Sequence, residues 1–276
     1  MQRLLPCRQK MFLQKEATIN LKDIYTKEKG DLASIVNNDP VEFCHRYSVK
    51  EDIEIAGFLA SQFAYGKIEL FKRFLEDIFA LMGESPKTFI ERGDFTRFEG
   101  LYYRFQKDRD IILLFESLRK VYEGVGGLGA MFKTSYQGDV RETLWKLREY
   151  LLSDSNELIF FFPKPSATNP LKRWNLYLRW MVRKDTIDSG IWDFMDKSDL
   201  VIPLDTHIFK IGRCFGWTKR NTASYAAARE ITCVLKDFSP EDPLQYDFFL
   251  CHRIGIGAGC TGKRGPQCRK VCLLYE

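Results

Sequence analysis

Apolar residues return every three or four positions over 53–82, 109–122, 139–153, 170–183, 205–217, 222–237 and 243–254, the pattern of helices that bury one face. Turn formers separate these stretches: Gly83-Glu84-Ser85-Pro86, Gly93-Asp94, Gly126-Gly127 and Ser239-Pro240. Period-two alternation is scarce, and the Phe- and Tyr-rich stretch 95–106 fits neither period. The pattern predicts an all-α protein. No internal repeat or low-complexity linker interrupts it.

At 276 residues, 45% hydrophobic and 14% aromatic, the chain can bury a sizeable core. With 42 basic against 37 acidic residues the net charge is only +5, too little by itself to imply a nucleic-acid partner. The distribution is more informative. Lys172, Arg173, Arg179, Arg183 and Lys184 form one cluster and Lys210, Arg213, Lys219 and Arg220 another, on either side of Asp205. Two basic clusters around one carboxylate suit a phosphate-lined cleft. No stretch is long and apolar enough to span a membrane, and residues 1–15 lack the apolar core of a signal peptide. A cytoplasmic, DNA-accessible protein is expected, with Met1 or Met11 as its start.

The chemistry is concentrated in two segments. A short apolar run ends at Pro203, and Ile208, Ile211 and Phe215 then follow at helical spacing, so Asp205 is placed to cap a new helix. Upstream, Asn169 and Pro170 read as an N-cap and first-turn pair, which puts Lys172 in the first turn of the next helix, ahead of Asn175. Gly124 to Gly129 look like a phosphate-gripping loop, but no helix-capping Asp follows at a suitable distance. Their expected role is a helix end and a tight connection.

The string Pro203-Leu204-Asp205-Thr206-His207-Ile208-Phe209-Lys210 resembles the catalytic-aspartate segment of the helix-hairpin-helix DNA glycosylases, the endonuclease III superfamily. Lys172 and Asn175 fall on that family's nucleophile helix, and Gln62, closing the apolar stretch from Glu54, on its DNA-contacting glutamine. More closely the chain is similar to a bacterial branch known by a domain of unknown function (DUF2400), with Lys172-Arg173 and Asn175-Leu176 followed by Leu178-Arg179-Trp180-Met181-Val182-Arg183. The resemblance implies a two-lobed helical fold with a cleft between lobes. Residues 1–50 would be an N-terminal segment packing with the C-terminal lobe, 51–160 a central lobe and 161–276 the catalytic lobe.

What it implies about activity is excision of a damaged base from DNA, with Lys172 as the attacking amine and Asp205 as its assistant, by a monomer acting on double-stranded DNA that carries a damaged or abasic nucleotide. A monofunctional glycosylase using Asp205-activated water and a non-catalytic binding module remain open. Gln62, Arg173, Asn175, Arg179, His207 and Lys210 would contact DNA, and a nucleoid-associated bacterial protein is expected. Two departures stand out. The glycine hairpin before the lysine is replaced by residues 162–170, and 181–199 reads as an added surface excursion between Lys172 and Asp205.

Cys7, Cys44, Cys214 and Cys233 are scattered and read as reduced thiols. Cys260, Cys268 and Cys272 crowd a Gly- and Pro-containing tail that resembles the four-iron, four-sulfur loop of the same superfamily, with Cys251 as the expected fourth ligand and zinc as the alternative occupant. His252 is a further candidate ligand.

Overall fold

The computed structural model of the protein describes residues 20–152 and 157–275. Cys7, Met1 and Met11 lie outside the described residues. Most of the described chain is helical, as the apolar periodicity predicts. A short first helix, α1 (Leu21–Glu28), leads into 3-10 turns. α2 (Lys50–Phe63), α3 (Ile68–Met82) and α4 (Pro86–Arg92) follow. The stretch 95–106 resolves into a 3-10 turn and a two-residue antiparallel hairpin, β1 (Tyr102–Tyr103) and β2 (Gln106–Lys107). Then come α5 (Asp108–Val125), α6 (Leu128–Ser135), α7 (Val140–Leu152), α8 (Lys172–Val182), α9 (Thr206–Cys214) and α10 (Tyr225–Phe238). α11 (Asp247–Phe249) continues into a π-helix, Leu250–Gly257, and α12 (Cys268–Val271) ends the fold.

The apolar stretch 53–82 is divided between two helices, α2 and α3. Gly66 at φ +91° lies between α2 and α3, a conformation that a helix cannot contain and that suits glycine.

α2 is the centre of the molecule. Every residue from Asp52 to Phe63 is buried, so this helix is enclosed on all sides rather than amphipathic. Phe58 packs on Phe162, Trp174 and Tyr177, and Gly57 lets α8 come close, since a Cβ there would sit 2.7 Å from Met181 Cε. Its two buried acids hold other helix starts. Asp52 accepts from Ser85 Oγ and the Lys87 amide at the head of α4. Glu54 accepts from the Leu128 and Gly129 amides, Tyr122 Oη and Trp192 Nε1. Burial pushes the Glu54 carboxyl up, and these four donors oppose it. The glycines at 124–129 therefore close α5, with Gly126 left-handed as its C-cap, and free amides for Glu54.

Residues 181–199 are not the surface excursion that their polarity suggests. Ile187, Trp192 and Met195 are core residues, and Asp188 is 1% exposed. Asp188 accepts from Arg179 Nε at 3.1 Å and from Arg183, while Arg179 also pairs with Asp247 and Arg183 with Asp185 and Asp242. Charges that read as solvated in the sequence are paired inside the protein. Burial pushes Asp188 up to about 6 against the pull of the two guanidiniums.

Tyr25 of α1 packs edge-on against Tyr246 and Phe249, and Asp39 pairs with His252 of the π-helix at 3.0 Å. The segment before α2 thus rests on the C-terminal helices. Among the described residues no helix is long and apolar enough to cross a membrane.

Candidate functional site

α8, α9, the π-helix and the turn after α2 enclose a cavity of about 590 Å³, within the range of small-molecule sites. Lys172, Arg173, Asp205, Thr206 and His207 all line it. Trp174, Leu176, Phe71, Phe248 and Ile256 supply apolar wall.

The segment before α8 reaches this geometry without hairpin glycines. Asn169 and Pro170 do not start the helix. Asn169 Oδ1 instead accepts from the Leu171 amide at 3.0 Å, Ser166 Oγ accepts from the Asn169 amide at 3.2 Å, and Leu171 takes the N-cap position at φ +52°. A left-handed leucine is strained by roughly 1–2 kcal/mol. It is 2% exposed, and burying its side chain contributes about 1.5–3 kcal/mol, enough to hold the turn. Asn175 Nδ2 donates to the Pro170 carbonyl at 3.1 Å, tying the loop to the helix it precedes. Lys172 then emerges as the first residue of α8.

Arg173 points beside it. Its guanidinium donates to the Gln62 and Phe160 carbonyls and lies 4.0 Å from the Phe160 ring centroid, yet among the described residues it has no carboxylate partner. Burial pushes it down to about 10, with Tyr65 opposing. A half-buried, unneutralised cation on a cavity wall favours an anion there.

Asp205 caps α9 as its sequence context predicts: Oδ1 accepts from the Ile208 amide at 2.7 Å. Its other oxygen accepts from Cys251 Sγ at 3.4 Å. Burial, then the charges of Asp205 and Asp247, push the Cys251 thiol well up, so it remains a protonated donor. The π-helix brings it there. Gly255 allows the approach to α9, because a Cβ at 255 would sit 2.5 Å from His207 Cβ. π-turns of this kind recur at functional sites. His207 lies in the wall with Nδ1 buried and without a hydrogen-bond partner among the described residues.

The expected DNA contacts divide. Arg173 and His207 are on the cavity wall, whereas Gln62 (0% exposed) and Asn175 (2% exposed) are not and present no atom to a bound nucleic acid. Their polar groups serve the interior: Gln62 Nε2 meets Ser61 Oγ, and Asn175 holds Pro170. Arg179 reaches the wall, but its charge is consumed by Asp188 and Asp247, and Arg183 is likewise paired. Lys210 lies along α9, against Gly262. Sequence reasoning missed Asp39, Tyr65 and the wall role of His252 and Cys251. Nothing local marks them, except Gly66, whose positive φ turns the chain at the rim. On the hairpin beside it, Phe105 stacks parallel to Tyr65 at 6.5 Å and is 70% exposed, as Tyr102 is 77% exposed.

The cysteines are regrouped as well. Cys251, committed to Asp205, does not join Cys260, Cys268 and Cys272. These three border a second, small cavity with Cys214, the last residue of α9. Cys44, Cys214, Cys251, Cys260, Cys268 and Cys272 are free, but Cys233 is disulfide-bonded, contrary to its reading as a reduced thiol. Among the described residues, no three His, Cys, Asp or Glu side chains converge tightly enough to hold one metal ion. Zinc on the expected ligand set is therefore not supported: Cys251 is elsewhere, and His252 is bonded to Asp39.

Compared with known protein families, residues 39–257 match the family described as "Protein of unknown function (DUF2400)". The chain belongs to that family. The matched span includes Lys172, Asp205 and the whole π-helix, and it ends before Cys260. No curated protein and no solved structure matches the chain.

Proposed function

We propose that this DUF2400 protein is a DNA repair glycosylase with lyase activity, acting in the cleft of a two-lobed, helix-hairpin-helix-like body. The observation that carries the reading is that Lys172 and Asp205, 33 positions apart in sequence, line one cavity. An amine, a carboxylate and an unneutralised guanidinium around an apolar-walled space of about 590 Å³ suit a nucleotide rotated out of the duplex. Its base would rest among Trp174, Phe248 and Phe71, and its phosphate near Arg173.

In the reaction, Lys172 Nζ bonds to the sugar's anomeric carbon as the bond to the base breaks; the electron pair leaves with the base, which takes up a proton. Loss of a proton from nitrogen and opening of the sugar ring give an imine. Asp205, fixed by the Ile208 amide, stabilises the positive charge that develops on the sugar. The exposed ring of Phe105, stacked on Tyr65 of the cavity wall, offers stacking surface for a neighbouring base.

Borohydride in the presence of abasic or lesion-bearing duplex DNA tests the reading, because it reduces the imine to a stable protein–DNA amine. Wild-type protein should give the trapped adduct, Lys172→Ala none, and Asp205→Asn a rate lower by about 10²–10³. Base release without trapping would replace the lyase reading with a hydrolytic one. DNA affinity unchanged by Asp205→Asn, with no base released from any substrate, would make the protein a binding module.

A further inference from the structure

We infer that His252 is the acid that protonates the departing base, with Asp39 as the positioning residue that holds its imidazole. The inference rests on the proposed base excision and deepens it, since neither Lys172 nor Asp205 is assigned the proton that the base takes up. Its ground is a second constellation on the wall of the same cavity, where Asp39, Phe248 and His252 meet.

Of the three histidines in the chain, His252 is the one with a carboxylate partner among the described residues. His45 donates to the Ile187 carbonyl at 2.8 Å, and Nδ1 of His207 is buried without a partner. Asp39 is itself fixed. Its Oδ1 accepts from the Val41 amide at 3.0 Å and its Oδ2 from His252 Nε2 at 3.0 Å. With Nε2 donated to the carboxylate, Nδ1 is the ring nitrogen left to exchange a proton with a ligand. Burial works against the Asp39 charge, but the hydrogen bond and charge of His252 outweigh it and hold the carboxyl low. A fixed carboxylate behind an imidazole sets its tautomer and stabilises the imidazolium.

The placement suits a leaving base. The His252 ring lies against that of Phe248, with centroids 4.2 Å apart, and Phe248 is one of the rings among which the base would rest. The other acids of the wall are engaged: Asp205 accepts from the Ile208 amide and Cys251, and Asp247 holds Arg179. The π-helix thus sets adjacent residues to different tasks, Cys251 to Asp205 and His252 to Asp39. As the bond between sugar and base breaks, its electron pair goes to the base nitrogen and the proton on His252 Nδ1 passes to the base. His252 is left neutral with Nε2–H still donated to Asp39, and at 15% exposure it regains a proton from water.

Full-length protein and duplexes with one defined lesion each test this. Uracil and 8-oxoguanine leave as anions unless they are protonated, whereas 7-methylguanine is a cation in DNA and leaves without taking up a proton. Release of each base is measured in single turnover, with borohydride trapping on a pre-formed abasic duplex, from which no base departs, read in parallel. His252→Gln should slow release of uracil or 8-oxoguanine by about 10²–10⁴-fold, and Asp39→Asn, which keeps the imidazole, by a smaller factor. In both variants the loss on 7-methylguanine and on abasic trapping should be smaller by about an order of magnitude or more. A merely structural role would lower all of them together, and Asp39→Asn decides the question where His252→Gln does not fold. Equal losses on every substrate, no loss in the folded variants, or a wild type that releases 7-methylguanine alone or none of the three bases would each overturn the inference. Trapping in the wild type is a separate readout: its absence overturns the lyase reading of Lys172, whatever the bases show.

Discussion

Arg179 reads in the sequence as a phosphate contact and in the structure as a buried strut, and Arg179→Met separates the two. The guanidinium is 3% exposed and holds Asp188 and Asp247. Methionine keeps much of the volume and removes the charge. Arg183 still pairs with Asp188, so Asp247 bears most of the loss. A hydrogen bond to a charged group is worth about 1.5–3 kcal/mol, and breaking a buried ion pair by removing one partner costs about 3–5 kcal/mol. The prediction is therefore a loss of about 3–5 kcal/mol at neutral pH, set against a typical total of about 5–15 kcal/mol. Urea denaturation measures it as a lower midpoint at unchanged slope.

The pH dependence sharpens the test. Burial already pushes Asp247 up in the intact protein, and loss of its cation raises it further. A carboxyl raised above its unfolded value binds more protons when folded, so its stability contribution is present at acid pH and falls as pH rises through the folded pKa. The deficit of the variant should shrink between pH 7.5 and pH 5.5. A loss under about 1 kcal/mol, or a deficit that grows on acidification, would refute the strut, and reduced DNA affinity with full stability would restore the phosphate contact.

Three further outcomes follow from the cavity. Arg173→Met should weaken DNA binding without regard to sequence and lower the salt slope by about one ion, as read by fluorescence anisotropy across a salt series. Gly255→Ala forces a Cβ to 2.5 Å from His207 Cβ and should cost about 1–3 kcal/mol by urea denaturation. Burial alone would raise Asp39, but the hydrogen bond and charge of His252 outweigh it and hold the carboxyl low. The sign is opposite to that of Asp247: the stability from this pair is present above the unfolded value near pH 4 and lost as pH falls through the folded one. Asp39→Asn should accordingly be less stable than wild type at neutral pH, with the gap closing below about pH 4 in thermal melts.

The helical class, the cap at Asp205 and the closing role of Gly126 were legible along the chain because each is a local matter: apolar period, a side chain reaching its own backbone, a residue free to adopt positive φ. Membership in the DUF2400 family likewise resides in the order of residues, from 39 to 257. Partnership was not legible. Arg179 and Arg183 look solvated until Asp188, Asp242 and Asp247 are folded around them, and Gln62 looks exposed until α2 is enclosed on every side. Apolar spacing alone does not mark the break at Gly66, because it runs on through α3. Cys251 was misplaced for the same reason: nearness in the chain grouped it with the tail cysteines, while the π-turn delivered it to Asp205, and Cys214 at the end of α9 lies beside the tail instead. Local propensities are fixed by neighbours in sequence, whereas the pairing of charges and thiols depends on which surfaces the core brings into contact.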